Sequence, residues 1–278
     1  MIVSSQERSE VMDVTELYVA WRDPAGKTWY PVAKVSFSNG LYRFEYLRQA
    51  IEASKNTAFP LLSIFPDLHR RHESRELFPF LRNRVLTRSR PDYARYVQQL
   101  GLTVRDETNV GPVAHQLNAF ELLSRSGGRR VTDTFEIFAP PAVRDGCAHF
   151  VFFTRGVRYL DDATRRRWDE EPPLRPLAAE LDRANAFDDN AVQLVSGDQT
   201  PIGFVPRYYA CEIAPYLQRD SAVRVELLRH NPAPASVRER FLVRLSMETE
   251  PGWSFARSAA YDSLAPSGTQ SVDGEAAA

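Results

Sequence analysis

Lysine and long apolar runs are the first things that this sequence lacks. Only three of its 35 basic residues are lysines, and this shortage indicates a GC-rich genome of bacterial type. No stretch of about 18 apolar residues occurs, although a membrane-spanning helix needs one. The opening residues hold no apolar core of signal-peptide length. We therefore expect a cytoplasmic protein without a membrane span.

Cysteine and histidine are too sparse for a metal site of ordinary spacing. Cys147 and Cys211 belong to no CxxC pair and lie near no spaced histidines. We predict that both fill the core as small apolar side chains. His69 and His72 stand three positions apart, but no third ligand and no glutamate of an HExxH motif accompany them. We predict no metal and no cofactor.

A strong excess of positive charge is absent as well. The net charge is −1: residues 15–139 carry 18 Lys and Arg against 13 Asp and Glu, and residues 148–256 carry 14 against 16. A protein that grips a long duplex through many phosphates needs a larger excess. Any nucleic-acid binding must therefore depend on a shaped pocket. Four arginines of the first half offer a way to extend a DNA path beyond it: Arg82, Arg84, Arg88 and Arg90.

The sequence does contain enough apolar material for two domains, since 43% of its 278 residues are hydrophobic. The segment "FAPPAVRDGCA" is typical of a linker, and the Ala-, Ser- and Gly-rich end is typical of disorder. We predict a disordered N-terminus (1–14), a first domain (15–139), a linker (140–147), a second domain (148–256) and a disordered tail (257–278).

The two predicted domains differ in their patterns. In the first, alternating apolar residues around Asn39-Gly40 favour a β-meander. Helical spacing follows, with one helix between Pro91 and Gly101, so this half is predicted to be α+β. The second half shows many short strands and one short helix after Pro206. That pattern is typical of a small OB-like or SH3-like barrel, closed or partly open.

The densest polar cluster, "NAFDDNAV", lies between two apolar strands. A catalytic carboxylate pair, a metal loop, a plain turn and a ligand pocket all fit it. A Mg²⁺ site on Asp182, Asp188 and Asp189 needs converging carboxylates, usually with a lysine or histidine nearby, and no lysine follows Lys55. "RSGGRR" lacks the spacing of a P-loop, and no nucleophilic triad is visible. We expect a protein that is not an enzyme.

Three motifs narrow these alternatives. "GVRY", "NAFDDNAV" and "IGFVP" occur in this order. They resemble the signature of the HIRAN domain family: Gly-x-Arg-Tyr, Asn-Pro-(Tyr/Phe)-Asp-x-Asn-Ala-(Val/Ile) and Ile-Gly-(Tyr/Phe/His)-(Val/Leu)-Pro. Ala186 stands where the family usually has proline. The resemblance implies an OB-like barrel that binds the 3′-hydroxyl end of single-stranded DNA.

The resemblance also implies a set of DNA-binding residues. Arg158 and Tyr159 would contact the terminal nucleotides, and Asn185, Phe187 and Asp188 would form the end pocket. Phe204 and Arg207 would line the other wall of this pocket, and Phe241 would supply a second stacking ring. Stacking of a base on an aromatic ring contributes about 1–3 kcal/mol. An ionised carboxylate accepts a hydrogen bond from a 3′-hydroxyl and repels a 3′-phosphate. The structural alternative is that Asn190 braces a plain turn, beside a solvated Asp189.

The first half resembles the N-terminal subdomain of HipA-type toxin kinases. The matching residues occur in order: Phe44, Tyr46, Pro60, Leu61, Leu62, Ser63, Phe78, Phe80 and Asn83. No kinase domain follows, so the resemblance implies a docking module for an ATPase, a nuclease or a toxin. We expect a non-enzymatic protein that binds single-stranded 3′ ends, in DNA repair or phage defence. The alternative is a protein-interaction or regulatory module of a toxin–antitoxin-like system, without DNA binding.

Overall fold

The computed structural model of the protein describes residues 14–25, 28–55, 59–103, 112–219 and 221–266, and only the backbone of residues 112–118. The predicted disordered N-terminus lies outside the described residues, apart from Val14. No described helix has the length and apolar character that crossing a membrane requires.

The first half combines one antiparallel sheet with helices. Its five strands have the order β4-β3-β2-β1-β5. They are β1 (Glu16–Arg22), β2 (Trp29–Ser38), β3 (Leu41–Tyr46), β4 (His72–Ser74) and β5 (Phe135–Phe138). The helices are α1 (Gln49–Ser54), α2 (Pro79–Arg82), α3 (Tyr93–Gln99) and α4 (Pro112–Ser126). Between β2 and β3, Asn39 and Gly40 have φ angles of 52° and 74°, and positive values at both positions are what a primed hairpin turn requires.

The second half is mostly β. One sheet has the order β11-β12-β7-β6 and the other has the order β10-β9-β8. Their strands are β6 (Ala142–Arg144), β7 (Cys147–Phe153), β8 (Ala178–Leu181), β9 (Val192–Val195), β10 (Pro201–Phe204), β11 (Val223–His230) and β12 (Phe241–Glu248). The helices are α5 (Asp162–Glu170) and α6 (Arg207–Gln218).

These two sheets do not form a closed barrel. In the described residues they meet through isolated β-bridges, Arg155 with Phe204 and Leu177 with Val225, and not through a continuous ladder. The predicted barrel is therefore open along two seams. One apolar cluster still fills the space between the sheets, because β9, β10 and β12 all contribute buried residues to it.

The prediction of a single helix in this half is wrong, because α5 precedes α6. Asp161 caps α5 by accepting a hydrogen bond from the backbone N–H of Thr164 at 2.9 Å. Trp168 anchors the helix: its ring is fully buried, and its Nε1 donates to the carbonyl of Pro201 at 3.0 Å. The surrounding charged residues leave almost no apolar stripe, so hydrophobic periodicity could not reveal this helix.

The predicted linker and the start of the predicted tail are both ordered. The linker segment 140–147 contains β6, which pairs with β7. The tail begins with a 3-10 turn, Ala259–Tyr261, whose Tyr261 ring packs edge-on against Tyr18 with 5.5 Å between centroids. Leu264 then donates its N–H to the carbonyl of Tyr46 at 2.9 Å. Disorder is therefore the wrong prediction for residues 257–266, because they pack on the first sheet.

The two halves share one core. Phe138 at the end of β5 stacks on Tyr208 of α6, with 4.0 Å between ring centroids and 14° between ring planes. Tyr209 of α6 donates its hydroxyl to the carbonyl of Ala139 at 2.5 Å. The Glu136 carboxylate, fully buried, accepts from the hydroxyl of Tyr208 at 2.8 Å. Helix α6 is thus the element that fastens the second half onto the edge of the first sheet.

Neither cysteine belongs to the core, contrary to prediction. Cys147 begins β7, where alternate side chains face outward, and it is partly exposed. Cys211 lies on the outer side of α6 and is exposed. Both are free thiols.

Candidate functional site

The polar loop between β8 and β9 is held by its own side chains. Each of three acceptors bonds the backbone N–H two positions later: Asp182 to Ala184 at 3.2 Å, Asn185 to Phe187 at 3.1 Å, and Asp188 to Asn190 at 3.1 Å. The Asn185 amide also donates to the Asp182 carboxylate at 3.0 Å. Such local bonds replace strand pairing and hold the loop in one conformation. The crowding of polar residues in this segment therefore has a structural reason.

Asp188 also links this loop to the start of α6. Its Oδ2 accepts from Nε of Arg207 at 2.8 Å, and the two side chains are 19% and 28% exposed. Its Oδ1 takes the Asn190 N–H. Because each carboxylate oxygen has two lone pairs, Asp188 can still accept a hydrogen bond from a ligand.

Two aromatic rings project from this end of the second half. Phe187 is 76% exposed and Tyr159 is 75% exposed, which is unusual for rings of this size. Tyr159 ends a 3-10 turn, Val157–Tyr159, and the guanidinium of Arg158 lies 4.5 Å from the centroid of its ring. Arg158 also donates to the Tyr159 hydroxyl. The Tyr159 ring is thus partly fixed in orientation while it remains open to solvent.

Strand β10 lies between the loop and the turn. Phe204 exchanges two backbone hydrogen bonds with Arg155, each of 2.8 Å. Gly156, the next residue, has a φ of +80°, and a Cβ there would lie 3.1 Å from the Phe204 ring. Glycine is therefore favoured at 156 for both conformation and space. On the other side of β10, Val205 donates its N–H to the carbonyl of Val192 at 3.0 Å, next to the polar loop.

The structure brings most of the predicted site residues to one end of the domain. Asn185, Phe187, Asp188 and Arg207 form the loop side, Arg158 and Tyr159 form the turn side, and Phe204 lies half-buried between them.

Phe241 does not belong to this group. It is fully buried at the start of β12, where its ring stacks on His230 at 5.3 Å and meets Trp168 edge-on at 5.7 Å. A ring that is buried in the core offers neither of its faces to a base. Its prediction as a DNA-stacking residue is therefore wrong.

A neighbouring group of arginines was not among the sequence-predicted site residues. A cavity of about 280 Å³ adjoins the turn at Val157 and is lined by Arg165 and Arg166 of α5 and by Arg240. Arg165 also donates to the backbone carbonyl of Arg158 at 3.4 Å. The run "RRR" in α5 is visible in the sequence. It indicates a phosphate-binding surface only when the fold places α5 beside the turn that carries Tyr159.

The described residues contain no group of three or more His, Cys, Asp or Glu side chains placed to hold a metal ion. Asp182 and Asp188 are instead bonded to backbone N–H groups and to neighbouring side chains.

The four arginines predicted to extend a DNA path differ in their exposure. The Arg84 side chain is 3% exposed, whereas Arg82 and Arg90 are more than half exposed.

Comparison with known proteins identifies the second half. No curated protein matches the chain. One solved structure, a protein from Lactobacillus plantarum, shares 16% sequence identity and covers 37% of this chain and 97% of its own, with a TM-score of 0.29. That likeness carries no argument about fold or function. The resemblance of the first half to the HipA subdomain is supported by none of the comparisons and stays a prediction. Residues 148–246 match the family model described as the HIRAN domain, and this part of the chain is a HIRAN domain.

Proposed function

We propose that this chain binds single-stranded DNA and that its HIRAN domain holds the 3′-hydroxyl end. One observation carries the proposal: the segments that carry two exposed aromatic rings, Tyr159 and Phe187, flank β10, and the partly buried carboxylate of Asp188 directly follows Phe187. The HIRAN match supports DNA binding in general. The carboxylate of Asp188, which directly follows Phe187 and retains acceptor capacity, supports recognition of the end.

Each group has a definite role in this proposal. The rings stack on bases whatever the sequence, each stack contributing about 1–3 kcal/mol. Asp188 accepts a hydrogen bond from the 3′-hydroxyl and repels a 3′-phosphate. Arg207 holds Asp188 in place. Arg158 and Arg166 are positioned to meet backbone phosphates, which explains how a domain of net negative charge can still bind DNA.

We further propose that the first half docks a protein partner and that the chain itself catalyses no reaction. The shared core joins that half rigidly to the HIRAN domain, through the stacking of Phe138 on Tyr208. A partner such as an ATPase, a nuclease or a toxin would thereby be held at a fixed position relative to the DNA end. DNA repair and phage defence are both processes in which free 3′ ends arise.

The test is fluorescence anisotropy with a 5′-labelled oligonucleotide of about 10 nucleotides, at about 100 mM salt. Two oligonucleotides are compared, one ending in a 3′-hydroxyl and the other in a 3′-phosphate. We expect the hydroxyl end to bind about tenfold tighter, a difference of about 1.4 kcal/mol. Asp188→Asn should remove this preference, because an amide does not repel phosphate.

Asp189→Asn is the matched control. It changes the neighbouring, exposed carboxylate and should leave the preference intact. Equal binding of both ends by the unchanged protein would overturn recognition of the end. Failure to bind either oligonucleotide would overturn DNA binding and favour a protein-interaction module.

A further inference from the structure

A second cavity lies where the two halves meet, and arginines dominate its walls. Its volume is about 200 Å³. Arg84, Arg125 and Arg129 line it from the first half, and Arg155 and Arg238 line it from the HIRAN domain. None of the residues assigned to the DNA end lines it.

Three of these arginines are held by carboxylates. Arg84 donates to Asp133 at 2.6 Å and to the carbonyl of Gly128 at 2.9 Å. Arg129 and Arg155 both donate to the buried Glu136. These pairs explain how the charges are tolerated at the junction.

Arg125 and Arg238 differ from them. Among the described residues, neither forms an ion pair, and the buried Nη1 of Arg125 makes no hydrogen bond. Burial lowers the pKa of Arg125 to about 10, although the charge of Glu121, one turn earlier on α4, acts in the opposite direction. Arg125 as a whole is half-buried, but its Nη1 is buried without a partner, which is costly, so this part of the cavity wall favours an anion.

Glu239 is the one carboxylate that lines the cavity, and it does not cancel the arginines. Burial raises its pKa, and the charges of Arg155 and Arg129 act against that rise. Ser126 adds a hydroxyl to the wall, where it accepts from the N–H of Gly128 at 3.1 Å and forms a side-chain hydrogen bond with Tyr96, another residue of the wall. The wall is therefore rich in donors.

We propose that this cavity binds a phosphate group through Arg125 and Arg238. A planar guanidinium group can donate two parallel hydrogen bonds to the oxygens of one phosphate, and this interaction is strongest where water is excluded. At about 200 Å³ the cavity is smaller than the roughly 300–1,000 Å³ of sites for drug-sized ligands, so it suits a phosphate group better than a whole nucleotide.

The phosphate has two possible sources, a free anion or the backbone of a bound DNA strand. The 3-10 turn Val237–Glu239, which contributes Arg238 to the cavity, also contacts the turn that carries Tyr159. The cavity and the proposed DNA-end site therefore share one structural element. The inference goes beyond recognition of the 3′ end, because it requires neither Asp188 nor Tyr159.

The test measures thermal unfolding of the full chain with and without inorganic phosphate, with chloride at equal ionic strength as reference. At a phosphate concentration of about ten times Kd, we expect Tm to rise by about 3 °C. In Arg125→Met the rise should disappear, while the Tm without phosphate stays equal or increases because an unpaired buried charge is gone. Arg238→Met changes a more exposed side chain and should also remove the rise.

Arg224→Met is the matched control. The side chain of Arg224 is 82% exposed on β11, where it pairs with Glu248 at 3.8 Å. It should leave the response to phosphate unchanged. The oligonucleotide assay then separates the two sources. Weaker binding by Arg125→Met with an intact preference for the hydroxyl end identifies a backbone phosphate, and unchanged DNA binding with a lost response to phosphate identifies a free anion.

The proposal is overturned if neither the response to phosphate nor the affinity for DNA depends on Arg125 or Arg238. A lower Tm of Arg125→Met with an unchanged response to phosphate would also overturn it, because it would show that the guanidinium only supports packing. The phosphate measurement contains no DNA, so its failure is distinct from failure of the proposed DNA binding.

Discussion

Two carboxylates of this protein are each bonded to arginine, but in very different surroundings. Glu136 is fully buried at the junction of the halves and accepts from Arg129, Arg155 and the hydroxyl of Tyr208. Asp188 lies partly exposed in a surface loop and accepts from Nε of Arg207 at 2.8 Å. The first already accepts three hydrogen bonds and has no access to solvent, whereas the second is partly exposed and has acceptor capacity left beside the exposed ring of Phe187. Similar chemistry therefore holds the fold together in one place and is open to a ligand in the other.

The largest expected effect is on stability, at the buried carboxylate. Glu136→Gln should lower the free energy of unfolding by about 3–5 kcal/mol, because two partly buried guanidinium groups lose their fully buried counter-charge. Urea denaturation followed by tryptophan fluorescence measures it. Glu45→Gln is the control, since Glu45 lies on β3 of the first sheet and also pairs with an arginine, Arg71. An equal loss in both variants would contradict a special role for the junction.

The same residue predicts how stability depends on pH. Burial alone would raise the pKa of Glu136, but Arg155 and Arg129 outweigh it and hold the pKa below the ordinary value of 4.5. Its stabilising effect is therefore complete above about pH 4.5 and is lost as the pH falls through the folded-state pKa. Between about pH 5 and 3, the unfolding free energy should fall more steeply in the unchanged protein than in Glu136→Gln. Parallel curves would show that Glu136 does not titrate in this way.

The next effect is on DNA affinity and belongs to the exposed region. Tyr159→Ala should weaken binding of the 3′-hydroxyl oligonucleotide by about 1–3 kcal/mol, because a stacking surface is lost. Its unfolding free energy should change by less than about 0.5 kcal/mol, since the ring is 75% exposed. Tyr159→Phe keeps the ring and serves as control. Equal weakening by both substitutions would assign the effect to the hydroxyl, which accepts from Arg158.

The contrast between the regions also explains what could be predicted from the sequence. The loop around Asn185 was recognisable because its hydrogen bonds join residues two or three positions apart. The network of Glu136 was not, because Tyr208 lies 72 positions away and only the fold brings the two together. Phe241 was misjudged for the same reason: its burial depends on pairing with His230 across β11 and β12. Local chemistry is visible in a sequence, whereas long-range pairing decides which side chains are buried.

The smallest expected effect is on stability, at the partly exposed carboxylate of Asp188, and it contrasts with the large effect expected at Glu136. Asp188→Asn should lower the unfolding free energy by no more than about 1 kcal/mol, because a partly exposed pair with Arg207 is screened by solvent. The amide keeps an oxygen for the N–H of Asn190, so the loop should retain its conformation. Urea denaturation of Asp188→Asn and Asp189→Asn in parallel checks this, and a loss of several kcal/mol for Asp188→Asn alone would show that the loop depends on the charge. With stability preserved, a lost preference for the hydroxyl end in Asp188→Asn can be assigned to the carboxylate itself. Glu136 cannot bind a ligand in this way, because it is fully buried.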